Sequence, residues 1–126
     1  MYLLDTNAVI NYLDASMPPK AMLFMNVVVD NQCNISVITK MEALGYGFKS
    51  PAEQKTMWAF ITDSAIFNLN DDIVNRTISI RVIKKLKLPD AIIAATAIEN
   101  GFTLVTRNIS DFNGIFGLQV INPWDI

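Results

Sequence analysis

The sequence predicts an α/β domain in which a central, mainly parallel sheet is flanked by helices. Short apolar segments with the residue types of strands alternate with longer segments of helical periodicity, and turn or capping residues separate them. The predicted strands comprise residues 2–4, 33–37, 65–69, 103–106 and 118–121. Because helices connect most consecutive strands, we expect these strands to pair in parallel.

The predicted helices begin at residues that favour a helix N-terminus. Asp5-Thr6-Asn7 offers capping side chains after the first strand, Ser50-Pro51-Ala52-Glu53 is a capping box, and Asn70-Asp71-Asp72 opens a long helix. Further helices are predicted for residues 20–31, 38–46 and 91–99, and a loop for residues 108–117. The helix over 91–99 is almost wholly apolar, so we expect it at the centre of the molecule.

Length and composition indicate one domain that occupies residues 1–126. Apolar residues make up 52% of the chain, above the roughly 45–50% that is usual, so we expect part of the surface to contact a partner or a second copy. The single cysteine, Cys33, can form neither an internal disulfide nor a zinc cage. No basic leader and no apolar run of about 18 residues is present, which favours a cytoplasmic protein without a membrane segment.

The charge distribution is uneven. A net charge of −2 and a pI near 4.9 argue against a protein that binds nucleic acid through its net charge alone. Half of the basic residues nevertheless fall in one stretch: Arg76, Arg81, Lys84, Lys85 and Lys87. The sequence therefore predicts a basic patch on an acidic protein, although lysines near a helix C-terminus are also explained by the helix dipole.

Four acidic residues follow apolar strands or lie on apolar helices, and these are Asp5, Glu42, Asp90 and Asp111. Three of them have a structural explanation: helix capping for Asp5, a first helical turn for Asp90 and a turn for Asp111. Glu42 is harder to explain in this way, because its helix has little polar surface. The carboxyl ends of parallel strands meet at one edge of the sheet, so we ask whether the four acids converge there.

Convergence would imply a metal ion. Carboxylates gathered at one point repel each other unless a cation compensates them. Mg²⁺ and Mn²⁺ prefer oxygen ligands, whereas zinc prefers the histidine and thiolate ligands that a chain with no histidine and one cysteine cannot gather. Such an ion polarises a phosphoryl oxygen and lowers the pKa of water, so phosphodiester hydrolysis is the chemistry that these residue types favour.

Several motifs occur in a recognisable order: LLDTN, ITKME, LPDAIIAATA, and LVTRN followed by SDF. Together they resemble the PIN-domain ribonucleases. Length, motif order and the closing NPWD are most similar to the VapC-type toxins of bacterial and archaeal toxin–antitoxin pairs. The resemblance implies a PIN-like three-layer α/β/α domain, an endoribonuclease that depends on Mg²⁺ or Mn²⁺, and inhibition by a cognate antitoxin protein.

The resemblance also assigns roles to individual residues. It implies that Asp5, Glu42, Asp90 and Asp111 are the catalytic, metal-binding acids and that Thr6, Asn7, Thr106 and Asn108 support them. Many PIN domains have an acid two residues after the strand-end threonine, where this chain has Asn108. One tightly held ion is therefore expected, and a second is uncertain.

Partner surfaces follow from the same resemblance, which implies a homodimer and an apolar groove for an antitoxin segment. Candidates for the groove are Met22, Phe24, Met25, Tyr46, Phe48, Trp58 and Phe60, although core packing is the commoner explanation for any one apolar residue. The basic stretch from Arg76 to Lys87 is a candidate guide for an RNA backbone, and Lys40 or Arg107 is a candidate contact to a phosphate near the metal.

Two other functions are compatible with parts of the sequence. A phospho-acceptor or receiver-like α/β domain would suit the length and the acid after the first strand. It needs a second acid beside Asp5, however, and would leave Glu42 and Asp111 unexplained. A PIN-fold protein that binds RNA or a partner without cleavage is the second alternative, against which the intact acids count.

Overall fold

The computed structural model describes residues 1–48 and 50–126, and within them one parallel sheet organises the molecule. Its strands are β1 (Tyr2–Leu4), β2 (Asn34–Ser36), β3 (Ala65–Phe67), β4 (Thr103–Val105) and β5 (Gln119–Ile121). Their order in the sheet is β3-β2-β1-β4-β5, and neighbouring strands pair in parallel. The strand order reverses between β1 and β4, which places a crevice at the carboxyl ends of these two strands.

The connecting helices agree with those predicted from the sequence to within a few residues. They are α1 (Thr6–Leu13), α2 (Pro19–Asn31), α3 (Val37–Leu44), α4 (Pro51–Thr62), α5 (Asp71–Ile83) and α6 (Leu88–Glu99). The structure adds a single-turn helix, α7 (Ile109–Phe112), and a 3₁₀ turn at Pro123–Asp125, which were not predicted. In the described part of the chain, none of these helices has the length and apolar character needed to cross a membrane.

Two hydrophobic cores lie on opposite faces of the sheet, which confirms the predicted three-layer α/β/α fold. Leu4, Ile35 and Val105 occupy neighbouring register positions and belong to one core. Leu3 and Leu104 alternate with them and belong to the other. α6 lies in this second core with all of residues 91–97 buried, so its predicted central position is confirmed.

The predicted capping residues are also confirmed. Ser50 Oγ accepts a hydrogen bond from the Glu53 backbone N–H at 3.2 Å, and Asn70 Oδ1 accepts one from Ile73 at 2.9 Å. Each bond satisfies a backbone donor that the first helical turn leaves without a partner. Local sequence signals therefore define where these helices begin.

Two local predictions were wrong. The strand predicted to extend to residue 37 ends at Ser36, because the Ser36 hydroxyl caps α3 by accepting from Ile38 N–H at 3.1 Å. The predicted loop over 108–117 contains the single-turn helix α7, in which Asp111 N–H donates to the Asn108 carbonyl at 3.1 Å. This turn buries Phe112 in the second core, an interaction that periodicity over four residues cannot reveal.

Candidate active site

Asp5 lies in the crevice where β1 ends and α1 begins. Asp5 caps α1, because its Oδ1 accepts a hydrogen bond from Ala8 N–H at 2.8 Å. Unlike a cap on the surface, however, Asp5 is only 6% exposed. Burial raises the pKa of Asp5 to about 6; hydrogen bonds from Thr106 and Ala8 oppose the shift, and Asp90 and Glu42 add to it. Capping therefore describes only part of its environment, because a buried carboxylate remains costly to ionise.

Three polar residues end neighbouring strands at the same level of the sheet. Leu4 is in register with Ile35 and with Val105, so Ser36, Asp5 and Thr106 come next on adjacent strands, and all three are buried. Thr106 Oγ1 accepts from the Asn108 N–H at 3.0 Å, which leaves its own proton for Asp5. Ser36 was not among the predicted site residues, although it ends the buried strand β2 at the same edge of the sheet.

Glu42 reaches the same region from α3. Its Oε1 accepts a hydrogen bond of 2.6 Å from the hydroxyl of Thr6, the residue next to Asp5. Thr6 Oγ1 also lies 3.2 Å from Thr39 Oγ1, and Thr39 is fully buried. Thr6 thus links the first turn of α1 to Glu42, whereas Asn7 is an exposed residue of that turn.

Asp90 lies in the first turn of α6, which returns towards the amino end of β4 and so begins near the carboxyl edge of the sheet. Burial, then Glu42 and then Asp111 raise the pKa of Asp90, and only Lys87 lowers it. The position of Asp90 in the first turn of a helix favours its negative charge through the helix dipole, but its pKa is still raised. Asp90 is therefore electrostatically coupled to acids on three other elements.

Asp111 lies on α7 and is exposed to solvent. It contributes to the raised pKa of Asp90, which places it on the same side of the molecule. Asn108 precedes α7 without a side-chain capping bond, and its backbone rather than its amide contacts Thr106. Asp111 is therefore brought towards the site by the single-turn helix α7, which lies in a segment predicted as a loop.

The four acids repel one another electrostatically. Asp5 is repelled by Asp90 and Glu42, and Asp90 is also repelled by Glu42 and Asp111. Within residues 1–48 and 50–126, no three of them stand close enough together to hold an ion as they are. Among those same residues the one salt bridge joins Arg76 and Glu99, away from this set. Both the carboxylate donors and the uncompensated charge suit a hard divalent cation, which would favour a closer approach.

The predicted basic residues fall into two groups by position. Lys87 precedes Asp90 and lowers its pKa, so it lies on the acidic side. Lys84 Nζ donates to the Asn113 carbonyl at 2.8 Å and joins the end of α5 to the loop after α7. These two lysines are therefore near the acids that they are predicted to assist.

The arginines have other contacts. Arg76 Nε donates to Glu99 at 3.0 Å, and Glu99 is nine residues beyond Asp90 on α6, or roughly 13 Å along the helix axis. The Arg107 guanidinium lies 5.0 Å from the centre of the Trp124 ring. The other candidates, namely Lys40, Arg81 and Lys85, are at least partly exposed. A role of Arg76 in RNA binding remains a prediction, and it is weakened because Arg76, on α5, contacts the end of α6 that lies away from Asp90.

An apolar groove of about 500 Å³ lies between α1, the segment after α3, and α4. Its lining includes Tyr46 and Phe48 from the predicted partner-binding set. Trp58 of that set is half-exposed on α4. The expectation for Met25 was wrong, because this side chain is fully buried in the first core and reaches no partner.

Fold and site together define a PIN domain. The family model for the PIN domain matches residues 2–113, and the chain belongs to this family. It is 36% identical to a chain of a toxin–antitoxin complex from Klebsiella pneumoniae, with 100% of both chains covered and a TM-score of 0.77. The predicted family is thereby confirmed.

Other relatives are more distant or more local. DNA-bound VapBC from Salmonella typhimurium is 24% identical, with 97% of each chain covered and a TM-score of 0.82, and at this identity it shows the shared fold alone. A plasmid stability protein, StbB, of Pseudomonas syringae pv. tomato is 56% identical over 36 residues, which are 29% of this chain. The matched segment spans only 25% of that relative's length.

Proposed function

We propose that this protein is a metal-dependent endoribonuclease that hydrolyses RNA phosphodiester bonds, and that it is the toxin of a toxin–antitoxin pair. The observation that carries the proposal is the buried Asp5 in the crevice between β1 and β4, coupled to Asp90 and Glu42. A receiver-like domain would need a second acid beside Asp5, and the neighbours there are Thr6 and Asn7.

Asp5, Glu42, Asp90 and Asp111 are the residues that would hold Mg²⁺ or Mn²⁺. When bound, such an ion polarises a phosphoryl oxygen and makes water a better nucleophile near neutral pH. The hydroxyl of Thr106 and the N–H of Ala8 hold the Asp5 carboxylate in place, while Thr6 orients Glu42. Asn108 supplies a neutral amide rather than a carboxylate, so we propose one ion.

The substrate backbone would approach across the basic residues on the acidic side. Lys84 and Lys87 lie near α7 and Asp90 and can neutralise phosphate charge close to the acids. They do not read base identity, because phosphate contacts position a nucleic acid without specifying its sequence.

The toxin assignment rests on the full-length similarity to the chain from the Klebsiella toxin–antitoxin complex. We propose that an antitoxin segment occupies the groove lined by Tyr46 and Phe48, which offers apolar surface beside α1 and α4. Such a pair would act in the cytoplasm, where its RNA substrates are.

We also propose a homodimer through α5. This helix exposes an apolar stripe at a spacing of four residues, comprising Val74, Ile78 and Val82, and Val82 is 79% exposed. α5 begins with Asp71 and Asp72 and ends near Lys84 and Lys85. Two copies of α5 packed antiparallel about a two-fold axis would bury the stripe and place each acidic end beside the partner's basic end.

The nuclease proposal is tested with purified protein and a mixture of single-stranded and structured RNAs. We expect cleavage with Mg²⁺ or Mn²⁺, loss of cleavage with EDTA, and loss on Asp5→Asn or Asp90→Asn. The exposed Asp30 lies on α2 outside this set, so Asp30→Asn is the matched control and should cleave normally. Equal cleavage by wild type and Asp5→Asn would refute the mechanism. RNA binding by the wild type without cleavage would support the non-cleaving alternative.

A further inference from the structure

We propose that Thr39 is a positioning residue of this site: its buried hydroxyl donates to Thr6 and thereby fixes the carboxylate of Glu42. The proposal deepens the function proposed above and rests on it. Thr39 belongs to the ITKME segment and lies on α3, three residues before Glu42. Residues three apart share a face of a helix, so both face the first turn of α1.

The direction of the hydrogen bonds follows from the number of protons. Thr6 Oγ1 lies 2.6 Å from Glu42 Oε1 and 3.2 Å from Thr39 Oγ1. An ionised carboxylate only accepts, so the single hydroxyl proton of Thr6 points to Glu42. The bond between the two threonines must then use the proton of Thr39, and the chain runs from Thr39 to Thr6 to Glu42.

The environment of Thr39 distinguishes it from the two other buried threonines that lie on helices. Thr77 and Thr96 are also buried, but each donates to the carbonyl four residues earlier in its own helix, at 2.8 and 2.7 Å. The bond from Thr39 instead crosses from α3 to α1. A valine would fill the same space without a polar group to satisfy, so the hydroxyl is needed for its bond rather than for its volume.

The bond has a consequence for the acids. Thr6 follows Asp5 directly, while Glu42 is exposed and has no core packing to hold its carboxylate. Without the proton from Thr39, Thr6 is free to leave the staggered rotamer in which its hydroxyl reaches Glu42. Glu42 would then sample more positions relative to Asp5, and a cation would bind a less ordered set of carboxylates.

The test measures two quantities in each variant of the full chain. These are the affinity for Mn²⁺, by calorimetry, and the NMR signal of the Thr6 side chain. In Thr39→Val we expect the affinity to fall about threefold to tenfold and the Thr6 methyl resonance of the metal-free protein to shift, because its rotamers mix. Thr39→Ser retains the proton and should restore both. Thr96→Val is the matched control, since it removes a buried hydroxyl that bonds only within α6, and should change neither.

Packing effects are separated from the hydrogen bond by two further variants. Once Thr6→Val has removed the acceptor, adding Thr39→Val should cause no further loss of Mn²⁺ affinity. If Thr39→Val does not fold, Thr39→Cys replaces it, because a thiol is a weak donor of similar size. The proposal is wrong if Thr39→Val keeps the wild-type affinity and Thr6 signal, or if Thr39→Ser is as impaired as Thr39→Val.

Failure of the nuclease function gives a different pattern. A wild type that binds Mn²⁺ but cuts no RNA, together with weaker binding by Thr39→Val, would refute the nuclease and support the role of Thr39. If the wild type binds no Mn²⁺, the function proposed above fails, and an unchanged Thr6 signal in Thr39→Val would overturn the role of Thr39 as well.

Discussion

Capping of α1 by Asp5 is compatible with the metal binding that we propose for it, because a carboxylate has two oxygens. Its Oδ1 accepts the Ala8 N–H and ends the backbone of α1, which is the ordinary function of an N-cap. A cap on the surface would serve equally well, yet Asp5 is buried among other acids. A group whose charge is so unfavourable is retained where a ligand compensates it, which is common at functional sites.

The raised pKa of Asp5 gives the first prediction, on the pH dependence of stability. Its pKa is 3.8 in the unfolded chain and about 6 in the folded protein. Between these values the folded state holds a proton that the unfolded chain has released, so the free energy of unfolding falls as pH rises through this window. Above pH 6, ionisation of Asp5 therefore lowers the free energy of unfolding of the metal-free protein by at most about 3 kcal/mol.

Asp5→Asn should therefore raise the free energy of unfolding of the EDTA-treated protein at pH 8 and change it little near pH 4. The asparagine oxygen can still accept from Ala8, so the cap remains. Urea denaturation at both pH values measures the difference, with the exposed Asp30→Asn as a control expected to stay within about 0.5 kcal/mol of wild type. A metal-free Asp5→Asn that is less stable than wild type at pH 8 would contradict the raised pKa.

Asn108 is the basis of the second prediction. It lies two residues after Thr106 at the edge of the site and carries a neutral amide rather than a carboxylate. Asn108→Asp should tighten Mn²⁺ binding and increase the bound stoichiometry from one towards two, because the added carboxylate favours a second cation. Calorimetric titration measures both, and Asn113→Asp beyond α7 is the control at another exposed position. No change in affinity or stoichiometry in Asn108→Asp would show that position 108 does not face the metal.

The sequence was informative about the acids and less so about their supports. Each acid follows a strand or lies on an apolar helix, and both features are visible along the chain. Thr39 was missed because its partner is decided by how α1 packs on α3, at a separation of 33 residues. Met25 was wrongly predicted to face a partner for a related reason: the sequence of an apolar helix does not show which of its faces packs against the sheet.

At the scale of elements, α6 shows that composition can determine position. Its residues 91–97 are all buried, and four of these seven are alanine. Small side chains let a helix approach the sheet on one side and another helix on the other, and α6 contacts β2, β4, α3 and α5. The position of Asp90 depends on this packing, whereas α7 was too short to give any comparable signal.

Enlarging one of these alanines is the third prediction. Ala94 is fully buried in α6, so Ala94→Leu should overpack the core and lower the free energy of unfolding by about 1–3 kcal/mol. Because the first turn of α6 carries Asp90, Mn²⁺ affinity should fall as well. Urea denaturation and calorimetry measure the two effects, and Ile78→Leu on the exposed face of α5 is a control that should change neither. Wild-type stability in Ala94→Leu would mean that α6 has room that the structure does not show.

At the scale of the whole molecule, charge and apolar surface are separated. The acids gather at the carboxyl edge of the sheet, while the outward face of α5 carries apolar residues between an acidic and a basic end. Apolar side chains in a row along one helix are unfavourable in water and favour association. α2 also exposes Leu23 and Val27, but it carries one charge at each end, Lys20 and Asp30, whereas α5 has a pair of acids at one end and a pair of lysines at the other, so α2 offers less charge complementarity to a second copy.

The last prediction tests the proposed dimer. Ile78→Asp places a charge in the middle of the stripe, where an antiparallel α5 pair would bring the two new carboxylates together, so the variant should sediment as a monomer under conditions where wild type is a dimer. Val27→Asp introduces the same charge on the exposed face of α2 and should leave the wild-type dimer intact. The proposed metal site lies elsewhere on the molecule, so Ile78→Asp should keep the Mn²⁺ affinity of wild type, which would show that the variant is folded. Loss of the dimer in Val27→Asp but not in Ile78→Asp would move the interface to α2, and a monomeric wild type would remove it.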